Sequence, residues 1–215
     1  MSHAARSGSR YFRPTNWSRP ADKRSGVRSA VSCGPFSALG DFLCVERHGQ
    51  QMMRVLGIDP GLNRTGYALL EQQRKGWQLS EGGVIRSTPG VTLAERVQEI
   101  GNGLREVLAE FVPDAVAVEQ VFSHSSHPKT AILMAHARGA ILYAIAESAT
   151  PLFHYTPTQI KRLLTGSGKA SKEQVQLAIC RELHLPEPLQ PNDVADAAAI
   201  GLCHGYLGRQ SALLS

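Results

Sequence analysis

Several features that define large protein classes are missing from this chain of 215 residues, and each absence excludes a class. Its four cysteines, Cys33, Cys44, Cys180 and Cys203, have no C-x-x-C spacing, which leaves a zinc cluster or a disulfide framework unsupported. No run of 18 apolar residues occurs, so the sequence predicts no membrane-spanning helix and no membrane partner. The start also lacks the apolar segment and cleavage site of a secretory signal. We therefore expect reduced thiols in a cytoplasm.

An excess of charge of either sign is also lacking over most of the chain. Residues 1–52 contain 8 Lys and Arg against 3 Asp and Glu, a net charge of +5 (8 − 3). Residues 53–215 contain 15 of each (23 − 8 and 18 − 3) and are formally neutral. A neutral domain binds nucleic acid only where its charges are segregated, so the positions of individual lysines matter.

The first 52 residues are rich in Arg, Ser, Gly and Pro and show no periodicity, so we expect them to form no fold of their own. Three interpretations stay open for this basic extension. Translation starts at Met52 or Met53, or the segment is a disordered arm that adds to DNA affinity, or it is a transit peptide. The pattern is globular over residues 53–210, and residues 211–215 form a short tail.

The globular part shows strand and helix patterns in the order βββαβαβ, followed by further helices. Three antiparallel strands followed by parallel strands with helical crossovers predict an α/β fold, with a five-stranded mixed sheet and helices on both faces. Capping pairs mark three helix starts, namely Thr92 with Glu95, Thr156 with Gln159, and Ser171 with Gln174. Strands are predicted over residues 54–58, 65–71, 77–87, 115–118 and 152–155, and helices over 93–111, 129–148, 172–184 and 192–206, with one more after the cap at Thr156.

Four acidic residues fall at the ends of predicted elements. Asp59 ends the first strand within the segment GIDPG, Glu119 ends the fourth strand, and Asp193 and Asp196 share a face at the start of the last helix. If the first and fourth strands are neighbours, Asp59 and Glu119 meet at one edge of the sheet, within reach of the helix. Converging carboxylates repel one another, and hard divalent cations relieve that repulsion. The sequence therefore predicts two Mg²⁺ ions, with Mn²⁺ as a substitute, rather than zinc.

Two such ions about 3.5–4 Å apart are the usual arrangement for in-line displacement at phosphorus, so the predicted reaction is hydrolysis of a phosphodiester. Each acid also has a simpler interpretation. Asp193 and Asp196 complement the helix macrodipole at a helix start, and Glu119 can be a solvated strand end.

Seven short motifs occur in the globular part of the chain: LGIDPG at 56–61, TGY at 65–67, VEQVF at 118–122, ARG at 137–139, KEQV at 172–175, DVADA at 193–197 and CH at 203–204. Together they resemble the RuvC family of Holliday-junction resolvases, which have an RNase H-like fold, and the resemblance runs from Met53 to about Arg209. It implies a metal-dependent homodimer that nicks four-way DNA junctions symmetrically and leaves ligatable 5′-phosphate and 3′-hydroxyl ends, in recombination and repair. It also implies that the acids are metal ligands and that a RuvA–RuvB branch-migration complex is a partner in the bacterial cytoplasm.

Basic residues bracket the glycine-rich loop TGSG at 165–168, where backbone N–H groups and lysines are able to hold phosphates. The resemblance implies that Lys161 and Lys172 lie near the active site and assist charge stabilisation. Lys169 is a further predicted DNA contact. A solvated basic loop is the alternative.

Phe122 matches an aromatic residue of the family that stacks on an unpaired base at the crossover; a plain core residue is the alternative. The loop at 123–128 departs from the family pattern, because His124 and His127 stand where basic residues are common. The alanine-rich helix around Gly139 is either the dimer surface or an ordinary core helix, and Ile141→Glu is the change expected to distinguish the two.

Three rival functions are compatible with parts of this pattern. An RNA–DNA hybrid nuclease shares the fold and the metal chemistry. An actin-like or sugar-kinase ATPase shares the Asp-x-Gly segment but needs a second phosphate loop, which the sequence lacks. A junction-binding protein without activity conflicts with the presence of all four acids. Cleavage of a junction, a duplex and a hybrid discriminates among them.

Overall fold

The computed structural model describes residues 52–120 and 128–212, and predictions about residues outside these ranges stay predictions. Five strands form one sheet, namely β1 (Arg54–Asp59), β2 (Arg64–Gln73), β3 (Gly76–Arg86), β4 (Ala115–Glu119) and β5 (Leu152–Tyr155). The order across the sheet is β3-β2-β1-β4-β5. The pairs β1–β2 and β2–β3 are antiparallel, whereas β1–β4 and β4–β5 are parallel. The predicted mixed sheet is confirmed.

Five helices accompany the sheet, and all three predicted capping boxes are present. The last helix continues beyond the predicted end near Tyr206. Gly205 within this helix serves packing, because a Cβ there would lie 2.5 Å from the ring of Trp77. The helices are α1 (Leu93–Phe111), α2 (Pro128–Glu147), α3 (Pro157–Thr165), α4 (Lys172–Glu182) and α5 (Asn192–Ala212).

Apolar side chains on the two faces of the sheet form two cores. On one face, Val55 and Ala117 pack in a cluster with α5; on the other, Leu56, Val116 and Val118 pack with α1 and α2. Successive strand residues point to opposite faces, so a strand covered on both sides needs an uninterrupted apolar run. This explains why β1 and β4 are apolar until their final acidic residue. Within the described ranges, no helix is long and apolar enough to cross a membrane.

Candidate active site

The first and fourth strands are neighbours, which is the condition that the sequence argument required. Ile58 lies opposite Val118 in the parallel register of β1 and β4, one residue before each strand ends in its acid. Asp59 and Glu119 therefore stand at the same edge of the sheet, because the carboxyl ends of parallel strands meet there. Helix α5 packs across β1 and β2 and begins beside this edge.

Backbone contact between the sheet and α5 fixes the position of the helix start. A Cβ at Gly66 would lie 2.1 Å from the carbonyl oxygen of Asp193, and a Cβ at Gly57 would lie 2.1 Å from that of Ala197. Only glycine permits this approach. Because Gly66 is also the register partner of Asp59, the contact brings the first turn of α5 directly against the end of β1.

An open cavity of about 300 Å³ lies at this edge of the sheet. Three of the four predicted acids, Asp59, Glu119 and Asp196, line it together with Lys161 and Lys172. The fourth acid, Asp193, is not among the lining residues, although its charge acts on Asp59. All four acids are thus close enough to interact electrostatically, and three of them line one cavity.

The two acids at the strand ends are destabilised as anions. Burial raises the pKa of Asp59 to about 7, and the charges of Glu119, Asp196 and Asp193 contribute to the rise, while Lys172 opposes them. Burial, followed by the charge of Asp196, also raises the pKa of Glu119. Burial disfavours the ionised form of a carboxyl group, so this pair favours positive charge in the cavity.

The two acids of α5 each contact a basic side chain. The Nη2 atom of Arg64 lies 2.6 Å from Oδ2 of Asp193, and the Nζ atom of Lys172 lies 3.2 Å from Oδ2 of Asp196. The prediction from the sequence treated the four converging carboxylates as lacking basic partners. The two ion pairs correct that prediction for Asp193 and Asp196. No local motif marks Arg64; its contact arises because β2 and α5 are adjacent only in the folded chain.

The donor set suits a hard divalent ion, because it consists of carboxylate oxygens, two of which are unfavourable as free anions. In the described residues, however, no group of three or more His, Cys, Asp or Glu side chains is already arranged to hold a metal ion. The Oδ2 atoms of Asp193 and Asp196 contact basic groups instead.

The predicted DNA-binding residues fall into three groups. Lys161 and Lys172 line the cavity, and the charge of Lys161 acts on Glu119. Lys169 is exposed in the loop between α3 and α4, outside the cavity wall. Phe122 lies outside the described residues, as do His124 and His127.

The sequence did not predict the polar contacts that Arg138 and His204 make. Arg138 of α2 donates to the backbone carbonyl of Glu119 at 3.4 Å and contacts Nδ1 of His154 at 3.1 Å. The hydroxyl of Tyr155 lies 2.8 Å from Nδ1 of the buried His204. Arg138 and His204 both belong to motifs that were recognised, but their contacts depend on which strands lie next to each other.

Helix α2 presents one buried and one exposed apolar side. Ile141 and Ile145 are fully buried against α1 and the sheet, whereas Ile132 and Tyr143 are 58% and 61% exposed. A Cβ at Gly139 would meet no atom within 4 Å. The helix is therefore a core element with an exposed apolar side, on which the guanidinium of Arg105 lies over the ring of Tyr143. Ile141→Glu would disrupt the monomer instead of reporting on a dimer.

The fold and the site define a class of protein. A mixed sheet in the order 3-2-1-4-5, with acids at the ends of its central strands and at the start of the last helix, is the architecture of RNase H-like nucleases. A profile of the family described as RuvC, crossover junction endodeoxyribonuclease RuvC, matches residues 55–204, which include all four acids. The chain belongs to this family of endonucleases.

Individual relatives agree with the profile. The RuvC endonuclease of Rhodopirellula baltica is 51% identical over 153 residues, which cover 71% of this chain and 86% of the relative. That of Pelotomaculum thermopropionicum is 41% identical over 154 residues, 72% of this chain and 93% of the relative. The resemblance predicted from the sequence is confirmed.

Solved structures agree as well. The structure of Thermus thermophilus RuvC matches with a TM-score of 0.69 and 37% identity, and covers 74% of this chain and 97% of its own. The same protein in complex with a Holliday junction substrate matches with a TM-score of 0.69 over 74% of this chain and 96% of its own. The RNase H-like fold expected from the resemblance is thus confirmed.

Proposed function

We propose that the protein is a metal-dependent endonuclease that resolves four-way DNA junctions by symmetric paired nicks, in recombination and repair. The observation that carries the proposal is the acid cluster, in which Asp59 and Glu119 share a sheet edge and face the first turns of α5. Family membership supports the substrate, because a related RuvC of 37% identity has been solved with a Holliday junction.

Two divalent ions, Mg²⁺ or Mn²⁺, are proposed as cofactors, and Asp59, Glu119, Asp193 and Asp196 as the residues that hold them. Such ions lower the pKa of a bound water and stabilise a departing oxygen. The protein's own contribution is positional. The glycine contacts with α5 fix the acids, and Lys161 and Lys172 on the cavity wall attract the phosphate of the strand to be cut.

A homodimer is proposed because a four-way junction has approximate two-fold symmetry, so that a two-fold dimer offers identical sites to two like strands. The exposed apolar side of α2, with Ile132 and Tyr143, is the surface proposed for the second copy. We also infer a bacterial cytoplasmic location and a RuvA–RuvB partner from the family alone. Ligatable 5′-phosphate and 3′-hydroxyl ends are the proposed products.

The test is cleavage of synthetic junctions in Mg²⁺ by the full chain, its Asp59→Asn variant and an equally charged control, Glu187→Gln. Glu187 is exposed and lies outside the cavity wall. We expect Asp59→Asn to lose activity by about 100-fold to 1,000-fold or more while it still binds the junction. Glu187→Gln should cleave like the parent, and the nicks should fall in like strands at symmetric positions.

Two results would contradict the proposal. Preferential cleavage of an RNA–DNA hybrid over the junction would favour the rival nuclease with the same fold. Single nicks that occur independently in the two strands would count against a dimer with paired sites, even if the junction were the substrate.

A further inference from the structure

Arg64, the first residue of β2, has one notable partner in the described part of the chain. Its Nη2 atom lies 2.6 Å from Oδ2 of Asp193, and the two side chains are 39% and 24% exposed. The Nε atom of Arg64 is buried and has no hydrogen-bond partner among the described residues. An unpaired buried donor is unfavourable, so this guanidinium is held in place mainly by the carboxylate.

Arg54, at the start of β1, is an arginine whose guanidinium is held by two hydrogen bonds. Arg54 donates through Nε to Glu71 at 3.1 Å and through Nη1 to the backbone carbonyl of Phe111. It is thus held by two separate elements, β2 and α1. Among the described residues Arg64 lacks such a second anchor, and its guanidinium is therefore able to leave Asp193 without breaking a further hydrogen bond.

The carboxylate that Arg64 contacts is a proposed metal ligand. A divalent ion bound to Asp193 would lie close to the guanidinium, and the two positive charges would repel each other, which favours departure of the guanidinium. The four acids with Arg64, Lys161 and Lys172 carry a formal charge of −1 (−4 + 3) when all are ionised. The charge is still negative, although no group of three or more His, Cys, Asp or Glu side chains among the described residues is already arranged to hold a metal ion.

We propose that Arg64 is a displaceable counter-ion of Asp193 that competes with the metal ion for this carboxylate; this inference rests on the proposed metal site. Arg64 neutralises Asp193 in the metal-free protein and weakens metal binding there. It acts through Asp193 and is a positioning residue for the metal site, without contact to the reacting atoms. This weakening of metal binding occurs in the protein without DNA, so a metal titration of the protein alone measures it.

The experiment is a calorimetric titration of the full chain with Mn²⁺ in the absence of DNA. The parent is compared with Arg64→Gln and with Arg86→Gln, which removes the same charge from the exposed register partner of Arg64 on β3. We expect Arg64→Gln to bind Mn²⁺ about 5-fold more tightly than the parent, equivalent to about 1 kcal/mol. Arg86→Gln should stay close to the parent.

The same substitution made in the Asp193→Asn protein distinguishes competition between Arg64 and the metal ion from a general effect of removing a positive charge. In Asp193→Asn, the change Arg64→Gln should no longer tighten Mn²⁺ binding, because the carboxylate for which the two cations compete is gone. Arg64→Lys, which keeps the charge but loses the planar fork, should bind Mn²⁺ with intermediate affinity, and it serves as the test variant if Arg64→Gln does not fold.

The outcomes separate the two proposals. If the parent and all variants fail to bind Mn²⁺, the metal site itself is overturned, and this inference with it. If the parent binds Mn²⁺ but Arg64→Gln binds it equally, or if the gain persists in Asp193→Asn, the metal site stands and the role of Arg64 is overturned.

Discussion

The two acids at the strand ends and the two acids of α5 occupy the same edge of the sheet but meet different environments. Asp59 and Glu119 end buried strands, and burial is the largest cause that raises the pKa of each. Asp193 and Asp196 stand on the first turns of a helix, nearer to solvent, and each contacts a basic side chain. One pair thus carries an unfavourable charge, and the other is already neutralised.

This difference separates two tasks within one site. The strand acids make the binding of a cation favourable. Their position in the sheet shields them from water, and among the described residues they form no ion pair. In the proposed metal site, the helix acids would adjust how strongly the ion is held, because their carboxylates also contact basic side chains. A site of this kind lowers the stability of the metal-free protein in return for function.

The largest expected effect comes from removing the unfavourable charge. Asp59→Asn should stabilise the metal-free protein at pH 8 by up to about 4 kcal/mol, since its pKa is about 7 when folded against an ordinary value of 3.8 when unfolded. The folded parent holds a proton between these values that the unfolded chain has released, so its stability falls as pH rises through this window. The gain should be about 1–2 kcal/mol at pH 5, because the window begins near pH 3.8, and full above pH 7, as measured by urea unfolding in EDTA.

The control for this comparison is Glu187→Gln, which removes one exposed charge at a position outside the cavity wall. Its unfolding free energy should follow that of the parent at both pH values. A gain in Asp59→Asn that is the same at pH 5 and pH 8 would mean that the charge of Asp59 is not its cause.

The next effect is that of metal on stability. Mg²⁺ at about 100 times its dissociation constant should stabilise the parent by about 2.7 kcal/mol relative to EDTA. The same Mg²⁺ concentration should stabilise Asp59→Asn much less, because the acid with the greatest demand for a cation is absent. Thermal unfolding with and without Mg²⁺ measures both, and an equal shift in the two proteins would contradict the assignment of Asp59 as a metal ligand.

The smallest effect is expected from a helix acid. Asp196→Asn breaks the contact with Lys172, but the two side chains are 36% and 51% exposed, and pairs of this kind contribute about 0–1 kcal/mol. Removing Asp196 also relieves repulsion on Asp59, which offsets the loss. Urea unfolding in EDTA should therefore differ from the parent by less than about 1 kcal/mol. A loss of about 3 kcal/mol, the size expected for breaking a buried pair, would show that the helix acid stabilises the fold and would remove the contrast between the pairs.

Local patterns were sufficient to predict the elements of this fold. The capping boxes at Thr92, Thr156 and Ser171 involve residues three positions apart, so their physical cause is contained in a few letters of sequence. The predicted end of the last helix, near Tyr206, was too early, and the helix continues to Ala212. The close approach of Gly205 to Trp77 joins α5 to β3, and no neighbouring residue in the sequence signals that contact.

The same distinction applies to the candidate site. The acids were found because Asp59 and Glu119 end apolar strands and Asp193 and Asp196 share a face at the start of a helix. Arg64 was missed because its partner is 129 residues away in the sequence (193 − 64) and the two meet only where β2 contacts α5. The face of α2 was left open, because an alanine-rich helix has no strong apolar periodicity, and only the packing of Ile141 shows which side is buried.

The sequence by itself determined the order of strands and helices, the places where the four acids stand, and the family, because each depends on residues close together in the chain. Only the tertiary structure decided which acids are buried without a cation and which are paired with one. That depends on the contact between β2 and α5, where glycines let two backbones meet, and such a contact joins parts of the chain that no local pattern connects.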